Sequence, residues 1–125
     1  MAHHVMLIED EPNIMEAIRF VLSRDGWKVS CHSDGATALA AIQRVTPDVV
    51  VLDVMLPNRS GFEVLKDLRD DPALKDLPVL MLTAKGQTKD RERAALLGSN
   101  AFMTKPFSNA EVRDRLRAMV NHGEA

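Results

Sequence analysis

Chemically capable side chains stand just past the apolar runs of this chain. Val5-Met6-Leu7-Ile8 runs into Glu9-Asp10, and Val49-Val50-Val51-Leu52 runs into Asp53. Val79-Leu80-Met81-Leu82 ends on Thr83, and Ala101-Phe102-Met103 leads through Thr104 to Lys105. Each polar residue alone reads as a cap, a turn residue or a surface charge. If the runs are strands of one sheet, the polar ends meet at one edge. Three carboxylates brought together in a partly dehydrated crevice repel one another strongly. A hard divalent cation relieves that repulsion, and Mg²⁺ takes one or two carboxylates together with waters and phosphate oxygens. Lys105 then offers a point charge and Thr83 a hydroxyl donor. Both suit a group with several anionic oxygens, such as a phosphoryl.

The elements that must position these residues follow from the pattern. Apolar runs without alternation suit parallel strands covered by helices on both faces. Pro12 suits the first turn of a helix, where its missing N–H costs nothing, and Ile14, Ile18, Val21 and Leu22 share one face of it. Asp25-Gly26 stops that helix. Trp27 to His32 reads as an edge strand with Val29 and Cys31 inward. Ser33-Asp34-Gly35 opens a second helix carrying Ala38, Leu39 and Ile42. Ser60-Gly61 begins a third with Val64, Leu65 and Leu68 on one side. A charged helix from Thr88 to Leu97 has a thin apolar face and is expected to be the least firmly packed. Ser108 and Glu111 match a capping box, in which each side chain satisfies the other's backbone N–H. The helix they open places Val112, Leu116, Met119 and Val120 together. Five strands alternating with five helices through short, right-handed connections predict an α/β, doubly wound parallel sheet. Ligands of such sheets bind beyond the carboxyl ends of the strands, where Asp53 would point.

Composition narrows the class. The 125 residues suit one domain, with its core over about residues 4 to 121. A net charge of -2 with no dominant basic stripe argues against direct nucleic-acid binding by this segment. Cys31 stands alone, so no internal disulfide can form, a reducing compartment is the simpler setting, and a small core residue is the expected role. No apolar run approaches the ~20 residues of a membrane-spanning helix, and the N-terminus lacks a signal-peptide layout. The cytoplasm is the expected location.

Taken in order, Glu9-Asp10, Asp53, Leu56-Pro57 with Gly61, Thr83-Ala84 and Lys105-Pro106-Phe107 resemble the receiver domain of two-component response regulators. The resemblance covers nearly the whole chain. It implies a flavodoxin-like (βα)5 sandwich with strand order 2-1-3-4-5. It implies that Asp53 accepts a phosphoryl group from a sensor histidine kinase or a histidine phosphotransfer protein. Asp10, Asp53 and the backbone carbonyl of Met55 would ligate Mg²⁺ (or Mn²⁺), with Glu9, where the family often has Asp, reaching it through water. Lys105 would pair with phosphoryl oxygens, and Thr83 would move toward the phosphoryl and donate to it once it is in place, the switch aromatic swinging into the space Thr83 vacates. The Lys105–Pro106 bond would be cis. Phe102 occupies the switch-aromatic position, and Met55 and Lys85 the positions that set phosphoryl lifetime. The face made by the fourth helix, fifth strand and fifth helix would carry the signal to a downstream protein.

Departures and rivals bound this reading. Receivers joined to winged-helix domains dimerise through that same face, and Arg91 and Glu111 match one of their ion pairs. Their two acids before the switch aromatic are here Asn100 and Ala101, which leaves Arg115 and Arg117 without those partners. A monomer or a weak, phosphorylation-dependent dimer is expected. A haloacid-dehalogenase-type phosphatase needs a second Asp where Met55 stands. A flavodoxin-like cofactor module needs a phosphate loop where Glu9-Asp10-Glu11 would repel one, and a P-loop is absent. An unphosphorylated docking module on the same fold, and the receiver portion of a longer DNA-binding transcription regulator, remain open beside a stand-alone receiver.

Overall fold

The computed structural model describes residues 3–83 and 88–124. The expected turn at Ala84–Gln87, and with it Lys85, lies outside the described residues. The chain alternates β1 (His4–Ile8), α1 (Pro12–Arg24), β2 (Lys28–His32), α2 (Ala38–Val45), β3 (Val49–Asp53), α3 (Gly61–Asp70), β4 (Val79–Thr83), α4 (Thr88–Leu97), β5 (Ala101–Thr104) and α5 (Asn109–Glu124). All strand pairings are parallel, in the order β2-β1-β3-β4-β5.

The unbroken apolar runs are buried from both sides, which is why they carry no alternation. Val5, Leu7, Val49, Val51, Leu80 and Leu82 pack with Ile18 and Leu22 of α1 and with Val112 and Leu116 of α5. The intervening Met6, Ile8, Val50, Leu52, Val79 and Met81 pack with helices α2 and α3 and with Ala94 of α4. A period of two assigns the site residues to layers as well. Asp53 carries the parity of Val49 and Val51, on the α1/α5 side. Thr83 carries that of Val79 and Met81, toward α3 and α4.

Three details differ from the sequence reading. Trp27 is buried but closes the turn after α1, its backbone N–H donating to the Leu22 carbonyl at 3.0 Å, so β2 begins at Lys28. Cys31 is exposed, on the sheet's edge strand. The second helix starts at Ala38, since Asp34 is held in a turn. Asp34 Oδ1 accepts the Ala36 N–H at 3.1 Å and the Asn58 Nδ2 at 2.9 Å. Among the α4 side chains described, only Ala94 is buried, and Leu96 is 89% exposed.

Candidate phosphoryl-acceptor site

β1 and β3 are neighbours, and their ends bring Glu9, Asp10 and Asp53 together. One carboxylate oxygen from each lies within 4.8 Å of the others. Glu9 and Asp53 are buried, and Asp10 is exposed at the mouth of an open cleft flanked by Met55, Leu56 and Pro57.

Lys105 comes from beyond the far edge strand. Its Nζ lies 2.8 Å from Asp53 Oδ2 and 3.5 Å from Glu9 Oε1. The Lys105 N–H donates to the Thr83 carbonyl at 2.7 Å, so β4 holds the segment that delivers the ammonium. The Lys105–Pro106 bond is cis, as expected. Burial draws the ammonium pKa down, yet the hydrogen bond and charge of Asp53, with Glu9 behind them, outweigh it and raise the value.

Glu9 bears the electrostatic cost of this arrangement. Burial first, then the hydrogen bond and charge of Asp53, push its pKa up to about 8 against the pull of Lys105. Glu9 Oε2 is buried without a hydrogen-bond partner. An all-oxygen, acidic cluster with one orphaned buried oxygen suits a hard divalent cation.

The loop after β3 is built to hold Asp53 in place. The Met55 N–H donates to Asp53 Oδ1 at 3.1 Å, and the Gly61 N–H returns to the Val54 carbonyl at 2.9 Å. A side chain at Gly61 would put its Cβ 2.2 Å from the Asp53 carbonyl oxygen, so only glycine lets α3 start this close to the acceptor strand. Ser60 and Glu63 form a full capping box on α3. Arg59 grips Asp67 through Nε and Nη2, both at 2.8 Å, and Glu63 through Nη1 at 2.9 Å.

Thr83 is buried at the end of β4, but its hydroxyl is not directed at the acidic cluster. It donates to Asp90 Oδ2 on α4 at 3.0 Å. Phe102 is half-buried against the α3/α4 side, and the Arg91 guanidinium lies 5.3 Å from its ring centre. Asp90 and Arg59 are the partners that sequence reasoning missed. The Thr83–Asp90 pair joins two elements and Arg59 reaches Asp67 eight residues on, so neither falls at a helical i,i+3 or i,i+4 spacing.

Five parallel strands thus run in this order, with the acids and the lysine gathered at their carboxyl ends. The family model described as the response regulator receiver domain matches residues 5–117. The chain belongs to that family. Receiver relatives include the alkaline phosphatase synthesis transcriptional regulatory protein PhoP of Bacillus subtilis, 40% identical over 99% of this chain and 51% of that protein. The chemotaxis response regulator CheY4 of Vibrio cholerae superposes with a TM-score of 0.87 at 28% identity, covering 94% of this chain and 98% of that one. A receiver domain of a sensor histidine kinase from Pseudomonas aeruginosa, solved with a magnesium ion coordinated in its active-site cleft, gives 0.88 at 27% identity, with coverage of 97% and 99%. The chain spans about half the length of the curated relatives it matches. Among the described residues no helix is long and apolar enough to cross a membrane.

Asn100 and Arg117 are engaged by contacts within the chain. Asn100 Oδ1 accepts the Val79 N–H and the Arg69 Nη2, both at 2.9 Å. Arg117 forms a two-pronged ion pair with Asp25 at the end of α1, its Nε 2.8 Å from Oδ2. Glu111 and Ser108 cap α5 as expected.

Proposed function

We propose that Asp53 is the phosphoacceptor of this receiver. The observation that carries the reading is the Lys105 ammonium held 2.8 Å from a buried Asp53 inside an acidic cluster. An Asp53 carboxylate oxygen attacks the phosphorus of a phosphohistidine on a sensor kinase or phosphotransfer protein. The phosphorus–oxygen bond forms as the phosphorus–nitrogen bond breaks, and its electron pair returns to the imidazole. Lys105 pairs with a phosphoryl oxygen, which it can do because it already lies against the acceptor. Thr83 donates to a second oxygen after turning toward Asp53.

Asp10, Asp53 and the Met55 carbonyl would hold Mg²⁺ or Mn²⁺, with Glu9 reaching it through water. When bound, the cation neutralises the carboxylates and stabilises charge on the transferring phosphoryl. Catalysis by the chain itself is confined to its own phosphorylation and the loss of the phosphoryl.

The signal leaves through the face of α4, β5 and α5, with Phe102 as its switch. The phosphoryl selects between two packings of this face and has leverage only through contacts that differ between them. Because the matched relatives are about twice as long as this chain, the reading extends to the receiver portion of a longer transcription regulator. Nucleic-acid contact then belongs outside this segment.

The test is intact mass after incubation with Mg²⁺ and acetyl phosphate, with Asp53→Asn as control. A gain of one phosphoryl that needs both Mg²⁺ and Asp53 is expected. No gain, together with failure of beryllofluoride to bind, would leave a docking module on a receiver fold.

A further inference from the structure

The Thr83 hydroxyl has one proton to donate, and here Asp90 Oδ2 accepts it at 3.0 Å. The acceptor is a carboxylate, so the bond is charge-assisted and stronger than a neutral one. It is also, among the described residues, the only side-chain hydrogen bond from α4 to the sheet. Thr83 is buried, so a turn away from Asp90 must end on another acceptor rather than on bulk water. Strand parity keeps Thr83 on the α4 side while Asp53 lies on the other, although β3 and β4 are direct neighbours.

We propose that Asp90 is a positioning residue that holds Thr83 away from Asp53 in the unphosphorylated protein, so that Asp90 and the phosphoryl compete for one hydroxyl proton. The inference rests on Asp53 being the phosphoacceptor. Its consequence is a direct link between the site and α4. Asp90 lies in the first turn of α4, and the next residue, Arg91, covers the Phe102 ring at 5.3 Å. Arg93 reaches the Phe62 ring at 4.4 Å, and Ala94 is the only α4 side chain buried among those described. A helix anchored this lightly shifts when one of its ties is withdrawn. Phosphorylation withdraws the Asp90 tie by accepting the Thr83 hydrogen bond in its place, and the turn that carries Arg91 over Phe102 is freed with it. Thr83 and Phe102 then respond together through α4.

An acid in the first turn of a helix also stabilises it through the helix dipole, whatever Thr83 does. A double-mutant cycle separates the two roles. Beryllofluoride affinity is measured with Mg²⁺ for the wild type, Asp90→Ala, Thr83→Val and the double variant, with Asp90→Asn as a milder version. If the latched state dominates the resting protein, the measured affinity is reduced by the fraction of Thr83 that is free. Asp90→Ala is expected to bind beryllofluoride about tenfold more tightly, and Asp90→Asn to fall between it and the wild type. In the Thr83→Val background the Asp90 substitution is expected to change nothing. The α4 amides of unphosphorylated Asp90→Ala are expected to exchange hydrogen faster than those of the wild type. Wild-type binding with no gain in Asp90→Ala, or an equal gain when Thr83 is Val, overturns the latch and leaves the phosphoacceptor reading intact. Absence of binding by the wild type overturns both.

Discussion

Lys105 Nζ is 2.8 Å from Asp53 Oδ2 and 3.5 Å from Glu9 Oε1, so one cation serves two buried carboxyl groups. A divalent cation entering the same cluster meets that ammonium as a repelling charge. Lys105→Met is therefore expected to bind Mg²⁺ more tightly, by about tenfold, in a calorimetric titration. The same variant is expected to take a phosphoryl from acetyl phosphate more slowly, on the order of a hundredfold, because a preorganised donor to the transferring oxygens is gone. Unchanged Mg²⁺ affinity would show that Lys105 and the metal site do not share one field.

Glu9 sets a pH dependence in the metal-free protein. Its pKa is pushed from an unfolded value of 4.5 up to about 8 in the fold. Between those values the native state holds a proton that the unfolded chain has released. Stability is thus greatest below the unfolded value and falls as pH rises toward about 8, by up to about 1.4 kcal/mol per pH unit from this group. Denaturant midpoints across this range are expected to drop in the wild type and to flatten in Glu9→Gln. A wild-type profile no steeper than that of Glu9→Gln would remove Glu9 as the cause.

Gly61→Ala tests the backbone contact behind the acceptor. The new Cβ would lie 2.2 Å from the Asp53 carbonyl oxygen and 2.8 Å from Val54 Cα, and neither backbone atom can swing aside. A loss of about 3 kcal/mol or more in unfolding free energy is expected. Loss below about 1 kcal/mol would mean that α3 can start further from β3 without cost.

Met55 is 70% exposed at the cleft mouth and brings no polar group to it. With no polar side chain at this position to orient a hydrolytic water, the aspartyl phosphate is expected to decay slowly to moderately. Met55→Asn is expected to shorten its lifetime several-fold, read as loss of the phosphorylated mass after the donor is removed. An unchanged decay rate would assign the lifetime to other groups.

The sheet and the chemical identity of its edge were legible in the sequence. Val49 to Leu52 cannot face water on either side, so the run had to be a central strand, and a carboxylate at its end had to lie where strands finish. The same argument, applied to Glu9-Asp10 and Lys105, placed the acids and the cation in one cleft. Helix-opening chemistry was equally readable at Ser108 and Glu111, because a capping box is local.

What the sequence could not decide was where side chains turn once several partners lie within reach. Thr83 is expected to donate to a phosphoryl once one is present; which acceptor its hydroxyl takes without one, Asp90, is set by strand parity and by the position of α4. Arg117 appeared without its partner, but the packing of α5 on α1 brings it to Asp25, 92 residues away in the chain. Cys31 had the alternation of an inward residue, and only its place on the edge strand leaves it exposed. Apolar burial is a property of a run of residues and can be read along the chain. A hydrogen bond or an ion pair is a choice among neighbours, and only tertiary packing decides who the neighbours are.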